Sequence, residues 1–391
     1  MTRINGVLLA ALVLVPGCRT ASDSSLESVG IAQTAVRDQF QIGFCWAYGA
    51  IALIESDHKV RTGEELSLSA EALGFYQIAH QMQGIANLAT STTDARLLDE
   101  KQPREGATFV DPKTPWDTVR LLKQHGVVPE SVWSTKFKSA ARVSKMKEVL
   151  REALVRRVGQ KRKLGGSLPD HVSLDEVMEM MVSSGAFASR PPETFETAGG
   201  TITARDYLTR ELGFNLEGWD TIETIRPDDY RKLIAGTKRA LLRGLSVPFE
   251  FPVDHDHLSG TTFRADAADW AQFREFSIFR THIVTITDFV NNGGKAGAIP
   301  LEALRTEFAK SPDELDYLIL KNSWGSAPPD DRYEMTLGYL KFIANGVIRD
   351  THRYYLGMQP ENRGSLKVFV PRDIAADPFG DEPVNPKVVA P

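Results

Sequence analysis

Apolar residues recur at helical spacing through the first part of the chain and gather into short alternating or continuous runs in its last third. From Cys45, WAYGAIALIESDH places Trp46, Ala50, Ile51 and Ile54 on one stripe and predicts a buried helix that starts at the cysteine. The stretch Leu68 to Leu73 predicts a second helix with Ser69 as N-cap, because a serine oxygen accepts an otherwise unpaired first-turn N–H. TPWDTVRLLKQHG, 114–126, predicts a third, with Pro115 in its first turn and Gly126 as its stop. Residues 136–163 hold eleven Lys or Arg against two Glu, with Val143, Met146, Leu150 and Leu154 at helical spacing. This basic amphipathic helix is expected to pack by its stripe and keep its charges solvated, with a membrane-surface role as the alternative. Further helices are expected at 173–182, 203–211 and 227–243. The runs 246–253, 282–290, 315–321, 338–343 and 365–371 are bounded by turn residues and predict strands. Pro371, Pro378, Pro383, Pro386 and Pro391 predict a loosely ordered end. A helical region followed by a strand-rich one implies an α+β molecule of two lobes, with a cleft between them as the natural place for a site.

Composition adds little to that outline: 391 residues, 42% hydrophobic and 25% charged, describe a globular chain long enough for a large core. A net charge of −5 supplies no basic field for a nucleic-acid partner. The first residues change the picture more. MTRINGVLLAALVLVPGC has one basic residue, an apolar run from Val7 to Val15 and small residues before Cys18, a signal-peptide pattern too short to span a bilayer. Its end resembles a bacterial lipobox, which implies lipidation of Cys18, export, and attachment to the bacterial cell envelope; a plain cleaved signal peptide and a soluble secreted or periplasmic protein are the alternative. Residues 1–18 are thus expected to be a signal peptide and 19–32 a flexible tether. With Cys18 assigned to the leader, Cys45 is the one remaining cysteine, so no disulfide forms within the folded part and the thiol needs another use.

A cysteine at a helix N-terminus sits where the macrodipole and free backbone N–H groups favour a thiolate. Read alone, Cys45 fits a buried inert residue as well as a nucleophile. Gln39 lies six positions earlier, near enough in sequence for its amide and the Cys45 N–H to form a two-donor oxyanion hole. Downstream, His282 opens the apolar run HIVTITDFV, and KNSWG, 321–325, follows the next buried run. Asn322 is placed to accept from or orient the imidazole, with Trp324 shielding that hydrogen bond from water.

The set DQ-x5-CWA, H-x-V and KNSWG resembles the papain-like cysteine peptidases. The resemblance implies a papain-like two-lobed α+β fold, with a helical lobe, a β-rich barrel-like lobe and the active site in the cleft between. It implies Cys45 as nucleophile, His282 as acid/base, Asn322 as orienting residue, Gln39 as oxyanion donor, Trp46 and Trp324 as supporting tryptophans, a peptide or protein as substrate, and no cofactor. His282 lies 237 positions after Cys45, well beyond the roughly 130–150 of compact members. The excess is assigned to a mainly helical insertion, 136–243, within a peptidase domain of 33–371, followed by a Pro-rich tail, 372–391. The inserted segments look similar, loosely, to the bleomycin hydrolase and aminopeptidase C branch. Two departures stand beside the motifs: Phe44 precedes the cysteine where the family has a smaller residue, and Thr281 precedes the histidine.

Other readings remain open at this point. The same residues would serve an envelope transpeptidase or amidase in which an amine replaces water, and a papain-fold binding protein would keep the framework without turnover. Asp254-His255-Asp256-His257 has the residue types of a metal site but fits a solvated turn. His125, at a helix end, fits a capping cation.

Overall fold

The computed structural model describes residues 31–39, 43–91, 115–135, 140–163, 171–224, 226–266, 281–291, 313, 315–324, 332–344 and 366–380. The leader with Cys18 and most of the tether lie outside the described residues, as does the tail beyond 380.

The helical part holds α1 (Cys45–Thr62), α2 (Ala70–Ser91), α3 (Pro115–His125), α4 (Ala140–Lys163) and α5 (Leu174–Ser183). Their starts follow local chemistry. Ser69 Oγ accepts the Ala72 N–H at 3.2 Å ahead of α2, and Ser173 with Glu176 forms a reciprocal capping box ahead of α5. On α4, Met146, Leu150 and Ala153 are buried while Arg142, Lys145, Arg151 and Arg156 are exposed, so the stripe packs on the domain. Where a helix is expected at 203–211, a hairpin of β1 (Thr194–Thr197) and β2 (Gly200–Thr203) precedes two short helical turns, Ala204–Asp206 and Tyr207–Glu211. Thr203 both ends the strand and caps the turn, accepting the Asp206 N–H at 3.0 Å.

Among the described residues, the strands of the remaining part form an eight-stranded sheet in the order β3-β10-β4-β7-β8-β9-β6-β5. Its strands are β3 (Trp219–Glu223), β4 (Val247–Pro252), β5 (Leu258–Ser259), β6 (Thr262–Phe263), β7 (Thr281–Asn291), β8 (Leu315–Lys321), β9 (Arg332–Thr336) and β10 (Lys367–Pro371). All pairings are antiparallel except β6 with β9. The helix Tyr230–Leu242 packs on the sheet and is buried along most of its length.

Two expectations for this half are overturned. Residues 338–343 are not a strand but part of a helix at 337–344. Thr336 Oγ1 accepts the Tyr339 N–H at 3.2 Å as a cap, and Tyr339, Leu340 and Ile343 bury one face at helical spacing. The segment after β10 is not loose over its described part. Arg372–Ala376 is a short helix with Ile374 fully buried, held by Arg243 to the Asp373 carboxylate and by Arg239 to the Asp377 carbonyl.

Two hydrophobic cores lie on either side of the sheet's middle. Ile283 of β7 belongs to the helical core, while its neighbours Val284 and Ile286 belong to the core inside the sheet region. Strand alternation turns one strand into a wall shared by both. Helix α1 lies against that wall, which explains why residues from Cys45 to Ser56 are buried almost all round and why its stripe is only weakly marked in sequence. Among the described residues, no helix is long and apolar enough to cross a membrane.

Candidate active site

Cys45 is the first residue of α1, with no side-chain cap before it and no acidic residue in the first turn. The positive end of the helix dipole therefore acts on the sulfur with no first-turn carboxylate to oppose it. Cys45 is 9% exposed, Gln39 7%, His282 6% and Asn322 2%, so the set is withdrawn from bulk water.

One turn after Cys45, Gly49 supplies the close approach between α1 and β7. A Cβ there would sit 3.0 Å from Ile283 Cγ2, and the Gly49 carbonyl accepts from Thr285 Oγ1 at 3.4 Å. The helix that begins with Cys45 is thus seated on the strand that carries His282 near its start. Cys45 and Gly49, four apart, share a helix face.

His282 is oriented from β8. Its Nε2 meets Asn322 Oδ1 at 2.7 Å. The Ser323 N–H donates to the same oxygen at 2.8 Å, which fixes Oδ1 as the acceptor and so makes Nε2 the ring nitrogen that donates. Nδ1 is then the nitrogen left for proton exchange. Trp324 stacks on the imidazole at 4.8 Å between centroids, tilted by 28°. Burial drives the His282 pKa down to about 4, against the Asn322 hydrogen bond that raises it; His255 lowers it a little further. An imidazolium at this position needs an anion beside it.

Gln39 is held by its neighbour across the lobes. Its backbone N–H donates to the Ser323 carbonyl at 2.9 Å, and its Oε1 accepts from Ser323 Oγ at 2.5 Å. With the oxygen end occupied, the amide nitrogen is the end left to donate elsewhere. Ser323 is the residue that sequence reading missed. The available signal was its place between Asn322 and Trp324, where successive side chains of an extended segment point in opposite directions. Trp46 is buried, edge-to-face with Phe44 at 6.2 Å, on the helical side.

Two other expectations can be placed. Asp254 uses its carboxylate within its own turn, accepting from the Asp256 N–H at 3.0 Å and pairing with His257 Nδ1 at 2.9 Å. The His257 ring lies against Phe342 at 4.4 Å. Among the described residues, no group of three or more His, Cys, Asp or Glu is arranged to hold a metal ion. His125 is not a capping cation. It stacks under Tyr76 at 3.8 Å and meets His80 Nε2 at 3.1 Å, and burial with that neighbour and two arginines lowers its pKa to about 4.

Residues 23–74 match the family model described as papain family cysteine protease. Over 42 residues the chain is 48% identical to the thiol protease SEN102 of Hemerocallis sp., a match that covers 11% of this chain and 12% of that protein. The crystal structure of PepW from Lactobacillus rhamnosis HN001 superposes with a TM-score of 0.59 at 13% identity, covering 93% of this chain and 83% of that one. At that identity the likeness speaks for the fold, which is papain-like and α+β.

Proposed function

We propose that this chain, with its papain-like fold, is a cysteine peptidase in which Cys45 is the nucleophile, His282 the acid/base, Asn322 its orienting partner and Gln39 an oxyanion donor. The observation that carries this reading is the 2.7 Å bond from His282 to Asn322 beneath Trp324, on a strand packed against the helix that Cys45 begins. The thiolate is the anion that a buried imidazolium requires, so the two charges stabilise one another where neither is stable alone.

In the forward step the Cys45 sulfur attacks the carbonyl carbon of the scissile bond. The oxygen takes the negative charge and receives N–H donors from Gln39 and from the Cys45 backbone. His282 gives its Nδ1 proton to the leaving amine, the C–N bond breaks, and a thioester remains. A water then loses a proton to His282 and attacks the thioester; the C–S bond breaks and the acid leaves. The segments inserted between Cys45 and His282, loosely similar to the bleomycin hydrolase and aminopeptidase C branch, support a place near it. Attachment to the bacterial cell envelope through lipidated Cys18 completes the reading.

The test joins turnover with labelling. Cys45→Ala is expected to abolish peptide hydrolysis while leaving the far-ultraviolet circular dichroism unchanged. Iodoacetamide at mildly acidic pH is expected to label Cys45 rapidly in the unsubstituted protein and slowly in His282→Ala. Hydrolysis surviving Cys45→Ala would move the nucleophile elsewhere. Cys18→Ser should release the protein from the membrane fraction of a bacterial host.

A further inference from the structure

Four consecutive residues, the last of β8 and the three that follow it, reach three different parts of the molecule. Asn322 holds His282, Ser323 holds Gln39, and Trp324 covers the imidazole. Lys321 reaches furthest in sequence: its Nζ donates to the Thr34 carbonyl at 2.8 Å and to Thr34 Oγ1 at 3.0 Å.

Thr34 belongs to a non-helical strap, 31–39, bonded to the sheet region at both ends and to α1 in between. At its start the Ile31 N–H donates to the Thr287 carbonyl of β7 at 3.1 Å. Midway, the Thr34 hydroxyl donates to Glu55 Oε2 at 2.8 Å, and Arg37 donates to Glu55 Oε1 at 2.8 Å and to the Leu68 carbonyl. Glu55, on α1, is 1% exposed and also accepts the Leu68 N–H at 2.8 Å. The strap ends at Gln39 on Ser323. Beside it is a small cavity lined by Gly49, Glu55, Thr285, Lys321, Asn322 and Ser323, of about 20 Å³, room for a single water molecule.

A half-buried ammonium here carries a desolvation cost that an apolar side chain of similar length would not. Burial pushes the Lys321 pKa down to about 8, with Glu55 opposing the fall. What the cation adds is direction: two hydrogen bonds that set where Thr34 lies relative to Asn322 and Ser323. We infer that Lys321 is a positioning residue, which through Thr34 fixes the strap and thereby aims the Gln39 amide at the oxyanion. This rests on the peptidase reading above. Displacing a catalytic group by an ångström is enough to lower a rate by orders of magnitude.

The experiment uses the full-length protein, steady-state hydrolysis of a peptide substrate, and iodoacetamide labelling of Cys45. Lys321→Met is expected to lower kcat about tenfold with KM changed by less than about twofold, since the oxyanion donor acts in the transition state. Labelling should keep its rate, because alkylation uses the thiolate and imidazolium but no oxyanion. In a Gln39→Ala background the same substitution should cost less than about twofold, the non-additivity expected when one residue acts through another. An unchanged kcat in Lys321→Met, or an equal loss with and without Gln39, would overturn the assignment. Thr34→Val removes one of the two acceptors and carries the same comparison should Lys321→Met fold poorly. Slow Cys45 labelling in the unsubstituted protein would sink the peptidase reading and this role with it, whereas rapid labelling with unaffected variants would sink only the positioning role.

Discussion

The Asp254 carboxylate, after β4, and the side chains of Lys321, Asn322 and Ser323, at and just beyond the end of β8, are all polar but reach over different distances. The Asp254 carboxylate bonds to positions two and three residues away. Lys321, Asn322 and Ser323 bond to partners 287, 40 and 284 residues away. The first pattern is what a turn needs to satisfy its own backbone and side chains. The second holds groups from distant parts of the chain in fixed relation, which is what a reacting centre needs. Residue type alone did not separate them, since imidazoles and carboxylates look more like chemistry than a lysine, an amide and a serine do.

That contrast can be broken or sharpened by experiment. The largest effect is expected for Asn322→Ala, which frees the imidazole to rotate. Turnover should fall about 100-fold, the low end of what general acid–base catalysis contributes, with thermal stability little changed. Next is the pH dependence of stability. With the Cys45 sulfur removed, burial holds His282 near 4 in the folded chain against 6.5 in the unfolded one, so its folded-state pKa is depressed. Its contribution is complete above pH 6.5 and is lost as the pH falls through 4. Chemical denaturation should show that Cys45→Ala loses up to about 3 kcal/mol more between pH 7 and pH 4 than Cys45→Ala/His282→Leu does. Gly74→Ala comes third. The added carbon would sit 2.2 Å from Phe44 Cε2, so the ring beside Cys45 must move, at a cost of about 1–3 kcal/mol in unfolding free energy. Least is expected of Asp254→Ala: about 1 kcal/mol of stability from the lost turn bonds, with hydrolysis within about twofold. A large loss of turnover there would erase the contrast between the two stretches.

The difference also governs what could be read from the chain. Helix α1 from Cys45, strands β4, β7 and β8, and the cap at Ser69 follow from local pattern, because their causes lie within a few residues. The helix at 337–344 did not follow: Tyr339, Leu340, Phe342 and Ile343 form a short apolar run that suits either period, and the Thr336 cap decides it. Strand β3 was missed because it is short and takes its partner β10 from far along the chain, and β9 because it is short. Cys45, His282, Asn322 and Gln39 stood out through motif chemistry. Ser323 and Lys321 did not, since their work is visible only once Gln39 and Thr34 are brought beside them.

β7 has a mechanical consequence. One face of the strand completes the packing of the helices and the other completes the interior of the sheet region, so neither half keeps its apolar surface dry after losing it. Melting should therefore be a single cooperative event, in which the halves come apart and denature together rather than one surviving the other.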